Sequence, residues 1–253
     1  MRKALSTEKL KGIYGHIAKR YDFQHALITA SADQKGRRIL VENSVNEGDA
    51  VLDCGSGTGT TGIMAAKKVG QGGEVTLFDL SKDMLSVARE KVVRENLQER
   101  VAFQTGDMVH LPFDDNTFDV VLSTYSLCPL YDPIKGALEL YRVTKTGGKL
   151  GVGHSTEPKN VIVKYLADRV EDIAWRFPWL SMGCRSVNVL PALQSAGGKV
   201  LLSKHIGVPL WPFLVFLIEK PATQQRSINS DANGKWGYVV EHITPIPKEV
   251  DLF

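Results

Sequence analysis

Val51-Leu52-Asp53-Cys54-Gly55-Ser56-Gly57-Thr58-Gly59 sets an apolar, strand-forming run directly against three alternating glycines, and a helix-forming stretch follows from Thr60. Glycine admits positive φ and lets a ligand approach the backbone closely. The helix that follows presents unpaired amide groups at its start. A strand, a glycine turn and a helix in that order predict a ligand held at the carboxyl edge of a parallel sheet.

Two ligand classes fit the glycines. Gly57-Thr58-Gly59-Thr60-Thr61-Gly62 formally matches the dinucleotide fingerprint, and Asp79 follows at nearly the expected distance. Asp53 separates the two. A carboxylate two positions before the first glycine repels a pyrophosphate but favours a cationic amino acid sulfonium, whose ammonium it would pair with directly or through a water. A purely structural role, with Asp53 bonding the loop's own amides, stays open.

Outward from this loop, β-branched runs alternate with helical stretches. Strands are expected at residues 50–54, 74–79, 101–105, 118–123 and 149–154, with Gly147-Gly148 as the turn before the fifth. A closing pair is expected at 199–207 and 213–220. Helices are expected at 60–68, 82–95, 133–143 and 187–195. The alternation predicts an α/β fold: a seven-stranded, mostly parallel sheet with helices on both faces. Residues 47–220 would form this domain, with residues 1–46 as a helical cap over its ligand edge. Residues 158–185 form an insertion carrying Val161, Tyr165, Val170 and Ile173 at helical spacing, then Trp175, Phe177, Trp179 and Met182. A helix packed on the core and a substrate lid are both open there. Residues 221–253 read as an appendage or interface arm.

Two further acidic residues stand at strand ends. Asp79, closing the second strand, would accept both ribose hydroxyls, unless it caps the next helix, a task Ser81 also suits. Asp107, after the third strand in Gly106-Asp107-Met108, would meet an adenine amino group, with Met108 against the ring. Three carboxylates at successive ends of one sheet edge point to a single ligand.

With these residues in place the chain resembles the class I S-adenosylmethionine-dependent methyltransferases, a Rossmann-like fold, and within them the ubiquinone/menaquinone C-methyltransferases. The resemblance runs from about Tyr14 to Pro158. It rests on Ala18-Lys19-Arg20-Tyr21-Asp22, the glycine loop, residues 79–88 with Met84-Leu85, and the stretch Leu111-Pro112-Phe113-Asp114-Asp115-Asn116-Thr117-Phe118-Asp119. Tyr141-Arg142-Val143 leading to Gly147-Gly148-Lys149-Leu150 completes it. It implies S-adenosyl-L-methionine as cofactor, held by Tyr21, Asp53, Gly55, Ser56, Gly57, Gly59, Asp79, Leu80, Met84, Gly106, Asp107, Met108 and Ser123. His154 stands where the quinone enzymes carry an acidic residue, and their carboxy-terminal strand motif is missing.

Methyl transfer from a sulfonium is an in-line displacement, so the protein chiefly aligns the reacting atoms. Carbon methylation of a phenol also needs a base, and His154 at the end of the fifth strand is the candidate, with a buried, hydrogen-bonded structural histidine as the alternative reading. Tyr125 and Tyr131, after the fourth strand, would line the acceptor pocket, Tyr125 as a catalytic residue; Cys128 reads as inert packing. The expected acceptor is small and hydrophobic, a quinol or phenol first and a lipid amine second. A nicotinamide-linked oxidoreductase and a non-catalytic cofactor-binding module are the alternatives from other classes.

A net charge of +3 gives no electrostatic case for nucleic acid. The basic residues among positions 1–20 read as a solvated helix face, with peripheral membrane contact as the second option. Cys54, Cys128 and Cys184 are far apart and suggest neither zinc nor a disulfide framework, which fits a cytoplasmic protein. No metal site is expected, and a homo-oligomer is compatible with the sequence.

Overall fold

The computed structural model describes residues 4–22, 24, 32–158, 160–176, 183–209 and 211–222. The chain divides into Met1–Ala222 and Thr223–Phe253. The second unit lies outside the described residues, and with it almost all of the expected appendage at 221–253.

The elements run α1 (Thr7–Ile17), α2 (Ala32–Ser44), β1 (Ala50–Cys54), α3 (Thr60–Lys68), β2 (Glu74–Asp79), α4 (Lys82–Arg94), β3 (Val101–Thr105), β4 (Phe118–Thr124), α5 (Pro133–Val143), β5 (Thr144–Ser155), α6 (Val161–Trp175), α7 (Leu190–Ser195), β6 (Lys199–Val208) and β7 (Trp211–Glu219). They form one seven-stranded sheet in the order β3-β2-β1-β4-β5-β7-β6. β1 pairs in parallel with both β2 and β4, and the order reverses there. β7 runs antiparallel between β5 and β6. In open α/β sheets such a reversal leaves a crevice at the strands' carboxyl ends.

Successive side chains along the central strands face opposite ways, and both faces are apolar. Leu52, Phe78, Val121 and Phe216 join Leu140 of α5 and Leu193 of α7 on one face. Val51, Leu77, Leu122 and Val215 join Leu40, Ile63 and Leu85 of α2, α3 and α4 on the other. Each fully buried side chain of this size contributes about 1.5–3 kcal/mol. Local signals start the helices: Ser81 accepts the Met84 amide at 3.3 Å, and Asp132, before Pro133, accepts that of Lys135 at 3.0 Å. The Leu111–Asp119 stretch is tied down by Arg142, which donates to Glu139, Asp115 and the carbonyls of Phe113 and Leu111.

Two expectations need correction, and a third point bears on a choice left open. Gly147-Gly148 is no turn before β5 but a bulge inside it: β5 starts at Thr144, and the register jumps from Phe118–Thr144 to Val120–Lys149. α7 starts at Leu190 and not at Val187, whose amide donates a hydrogen bond to the Ser155 carbonyl at 3.2 Å, outside the helix. α6 does not pack on the core along its described face, where Val161, Ile162, Tyr165, Leu166 and Val170 are all exposed. The side chains of Ile173 and Trp175, and residues Phe177, Trp179 and Met182, lie outside the described set.

Gly62 marks the closest approach of α3 to the sheet: a Cβ there would sit 2.0 Å from Leu77 Cδ2 and 3.0 Å from Asp53 Oδ2. Both neighbours are fully buried and cannot retreat into solvent. Gly62→Ala should therefore cost about 1–3 kcal/mol despite alanine's better helix propensity. Urea unfolding checks this; an unchanged midpoint would contradict the packing.

Candidate active site

The end of β2 fastens its neighbours. The Phe78 carbonyl accepts the amides of Gly55 (2.8 Å) and Ser56 (3.1 Å), and the Asp79 carbonyl accepts that of Gly106 (3.1 Å). The Asp79 carboxylate takes the Gly57 amide on Oδ2 and the Ser81 amide on Oδ1, both at 2.8 Å. One residue thus links the loops that follow β1, β2 and β3. Burial raises its carboxyl pKa, opposed by these amides. Capping of α4 falls to Ser81, so the remaining lone pairs of Asp79 are left for a ligand.

A cavity opens over this junction. Its floor is Gly55, Gly57, Phe78, Asp79, Leu80, Met84, Gly106, Asp107 and Met108. Leu10, Tyr14 and Tyr21 close it from the amino-terminal side, and Thr124 at the end of β4 with Tyr125, Ser126, Pro129 and Leu130 of the following loop from the other. Gly55, at φ +69°, could not carry a Cβ without meeting Ser126 at 2.3 Å and Met108 at 2.9 Å. Asp22 pins the amino-terminal segment: it accepts from Thr58 at 2.5 Å and pairs with Lys91.

The expected site residues divide in two. Tyr21, Gly55, Gly57, Asp79, Leu80, Met84, Gly106, Asp107, Met108 and Tyr125 all line the cavity. Asp53, Ser56, Gly59, Ser123 and His154 lie outside its lining. Gly59, at φ +79°, caps α3 against Ala88 and Leu77. Ser123 is fully buried and shares a 2.6 Å hydrogen bond with Ser126. Tyr131, exposed, donates to Asp107 at 3.2 Å.

His154 follows the structural of its two readings. It is fully buried, its Nδ1–H donates to the Ser155 carbonyl at 2.9 Å, and its ring stands edge-on to Phe216. Burial lowers its pKa. A neutral imidazole packed among apolar side chains, away from the cavity wall, is not placed to take a substrate proton.

Asp53 takes the structural role on one oxygen and leaves the other open. Oδ2 accepts the Gly62 amide at 2.7 Å, whereas Oδ1 is buried without a hydrogen-bond partner. Ser56 Oγ, in the same loop, is a second orphan. Unpaired buried acceptors cost free energy unless a donor arrives, which fits an ammonium-bearing ligand or an ordered water. Burial pushes the Asp53 carboxyl up to about 7, opposed by Arg37 and the Gly62 amide.

Sequence reading missed Leu10, Tyr14, Phe78, Thr124, Ser126, Pro129 and Leu130 in the walls, and Arg37 beneath them. Arg37 is 5% exposed, and its Nη1 donates to Thr61 and Thr124, both at 2.8 Å. A signal was present: Arg37 falls on the α2 stripe with Leu40, Val41 and Ser44, all buried. Tyr125, its ring centroid 5.2 Å from the guanidinium, is a non-glycine residue at φ +61°. Such backbone strain tends to collect at functional sites.

Comparison with known proteins shows the fold and the family. The fold is that of the class I methyltransferases: a SAM dependent methyltransferase from Aquifex aeolicus superposes with a TM-score of 0.55 at 26% identity, over 72% of this chain and 88% of that one. The [4+2]-cyclase SpnF shares the fold at 20% identity and a TM-score of 0.61, over 76% and 82%. Residues 2–168 match the ubiE/COQ5 methyltransferase family, and the chain belongs to that family. A demethylmenaquinone methyltransferase of Lactobacillus johnsonii is 34% identical over 60% of this chain and 63% of its own length. The ubiquinone/menaquinone biosynthesis C-methyltransferase UbiE of Teredinibacter turnerae is 32% identical over 64% and 65%. The chain thus spans just under two thirds of these relatives.

Asp53 yields a pH prediction. Its folded pKa lies above the unfolded value of about 3.9, so between about pH 4 and 7 the folded state binds the extra proton and stability falls as pH rises. Asp53→Asn keeps an acceptor for Gly62 and should remove this slope, raising ligand-free stability at pH 8 by about 1–3 kcal/mol. Denaturant unfolding at pH 4.5 and 8 checks it; a parallel shift at both pH values would contradict it.

Proposed function

We propose that this protein binds S-adenosyl-L-methionine over the β2 junction and transfers its methyl group to a small, hydrophobic, quinol- or phenol-type acceptor. The observation that carries the reading is Asp79, with lone pairs left for two ribose hydroxyls, flanked by the Gly55–Gly57 cradle that admits no Cβ at Gly55 and by Asp107 and Met108 for adenine. The orphaned acceptors Asp53 Oδ1 and Ser56 Oγ add a reason to expect a donor-bearing ligand. The names of the relatives support a quinone-type acceptor.

When bound, the cofactor supplies a methyl carbon already activated by positive sulfur. The protein's task is then alignment and exclusion of water. Asp79, Asp107 and Met108 hold the nucleoside side. Leu10, Tyr14, Pro129 and Leu130 give the opposite walls an apolar lining suited to a ring. We assign α1 the closing role, anchored through the Asp22 pairing that follows it.

Among the described residues of those walls there is no imidazole or carboxylate; they carry tyrosine, threonine, serine and apolar groups. Burial raises the phenol pKa values of Tyr14, Tyr21 and Tyr125, so they act as hydrogen-bond donors and not as bases at neutral pH. An acceptor that ionises readily by itself fits such a wall best.

Incubation with methyl-labelled cofactor and a panel of quinols, phenols and lipid amines tests the reading. Label should reach a quinol or phenol, and Asp79→Ala should lower turnover at least about 100-fold through lost charge-assisted hydrogen bonds. His154→Asn should stay within several-fold of the parent. Transfer only to polar amines, or loss of turnover in His154→Asn with the fold intact, would contradict the assignment.

A further inference from the structure

We infer that Arg37 is a cofactor-binding residue that receives the carboxylate at the amino acid end of the cofactor. This rests on the function proposed above and names a contact for the one charged group of the ligand that the strand-end carboxylates leave unaccounted for.

The guanidinium is nearly sealed inside the protein and under-used. Of its five donors, the two on Nη1 go to Thr61 and Thr124, whose hydroxyls are themselves 2.7 Å apart. Nε faces Asp33 Oδ2 at 3.6 Å, too long for a hydrogen bond, and is buried without a partner. Nη2 makes no hydrogen bond to any described residue. A buried cation costs free energy unless an anion meets it, and Asp33 alone supplies a distant one. The other neighbouring carboxyl, Asp53, is pushed up to about 7 and is therefore only partly ionised at neutral pH.

Position singles out the amino acid end. Asp107 and Asp79 stand at the ends of β3 and β2, where adenine and ribose would lie. The glycine loop follows at β1, and Thr124, the hydroxyl that Arg37 grips, closes β4 and lines the cavity. Adenine and Arg37 thus belong to opposite ends of a four-strand edge about 14 Å wide, from strand spacings near 4.8 Å. A ligand laid along it with its nucleoside at β3 and β2 brings its far terminus to β4. There the ammonium would meet the orphaned Asp53 Oδ1, and the carboxylate would meet Arg37. The field of Arg37 acts on Tyr21 and Tyr125 as well, opposing the rise in their pKa values. Both tyrosines line the cavity, whereas Arg37 lies just outside its lining and reaches the wall through its hydrogen bond to Thr124.

Calorimetric titration with three probes tests this: S-adenosylhomocysteine, its decarboxylated analogue, and 5′-methylthioadenosine, which lacks the whole amino acid end. The unaltered protein should bind S-adenosylhomocysteine at least about 10-fold more tightly than the decarboxylated analogue, as one charge-assisted hydrogen-bonded pair requires. Arg37→Gln should weaken S-adenosylhomocysteine about 10- to 100-fold while changing the other two less than about 3-fold, and Arg37→Lys should recover part of the loss. Equal weakening of all three probes by Arg37→Gln, or no weakening of the first, would overturn the inference. So would an unaltered protein that does not distinguish the carboxylated from the decarboxylated probe, a comparison that needs no variant and holds if Arg37→Gln fails to fold. If the unaltered protein binds none of the three, the proposed cofactor reading itself falls.

Discussion

The structure turns on the way the last two residues of β2 hold their neighbours. Phe78 and Asp79 spend their carbonyls on the loops after β1 and β3, and the Asp79 carboxylate ties the glycine turn to the start of α4. Backbone amides that would otherwise point at solvent are thereby fixed before any ligand arrives. Preorganisation of this kind lowers the ordering cost of binding. It also explains why an acidic residue is needed at this strand end: a neutral side chain of the same size offers fewer acceptor sites than two amides and a ligand require.

A second constraint lies behind the glycine loop, where Asp53 and Arg37 are buried close enough for their charges to interact. Neither is fully satisfied. Asp53 keeps one orphaned oxygen, and Arg37 keeps an orphaned Nε. A packed core seldom tolerates such groups for stability alone. Under the proposed function they would complement a ligand that carries an ammonium and a carboxylate on one carbon, and binding would relieve the cost of leaving them unpaired.

The architecture was largely legible in the sequence because β1 to β4 are short, largely apolar runs, with β1 and β4 buried on both faces, whose ends are punctuated by glycine, aspartate and helix caps. β5 was misjudged at its start because a glycine pair signals a turn and a bulge equally well; only the pairing of Thr144 with Phe118 decides. The floor of the site was legible for the same reason as the strands, since its residues sit at strand ends. His154 stayed open between base and structural residue because ending a strand does not fix which face a side chain takes, and this one turned into the core toward Phe216. The walls were not legible: Leu10, Tyr14 and Leu130 reach the cavity through loop and helix placement that no local pattern encodes. Arg37 is intermediate, since a charged residue on an otherwise buried helical stripe is itself a signal.

The central claim is that the end of β2 organises one cofactor along the edge from β3 to β4. A crystal structure of the complex with S-adenosylhomocysteine tests it most directly. The account predicts both ribose hydroxyls within hydrogen-bonding distance of Asp79 while its bonds to the Gly57 and Ser81 amides persist, with the adenine beside Asp107 and Met108. A ligand bound elsewhere, or an Asp79 carboxylate turned away from the ribose, would contradict it.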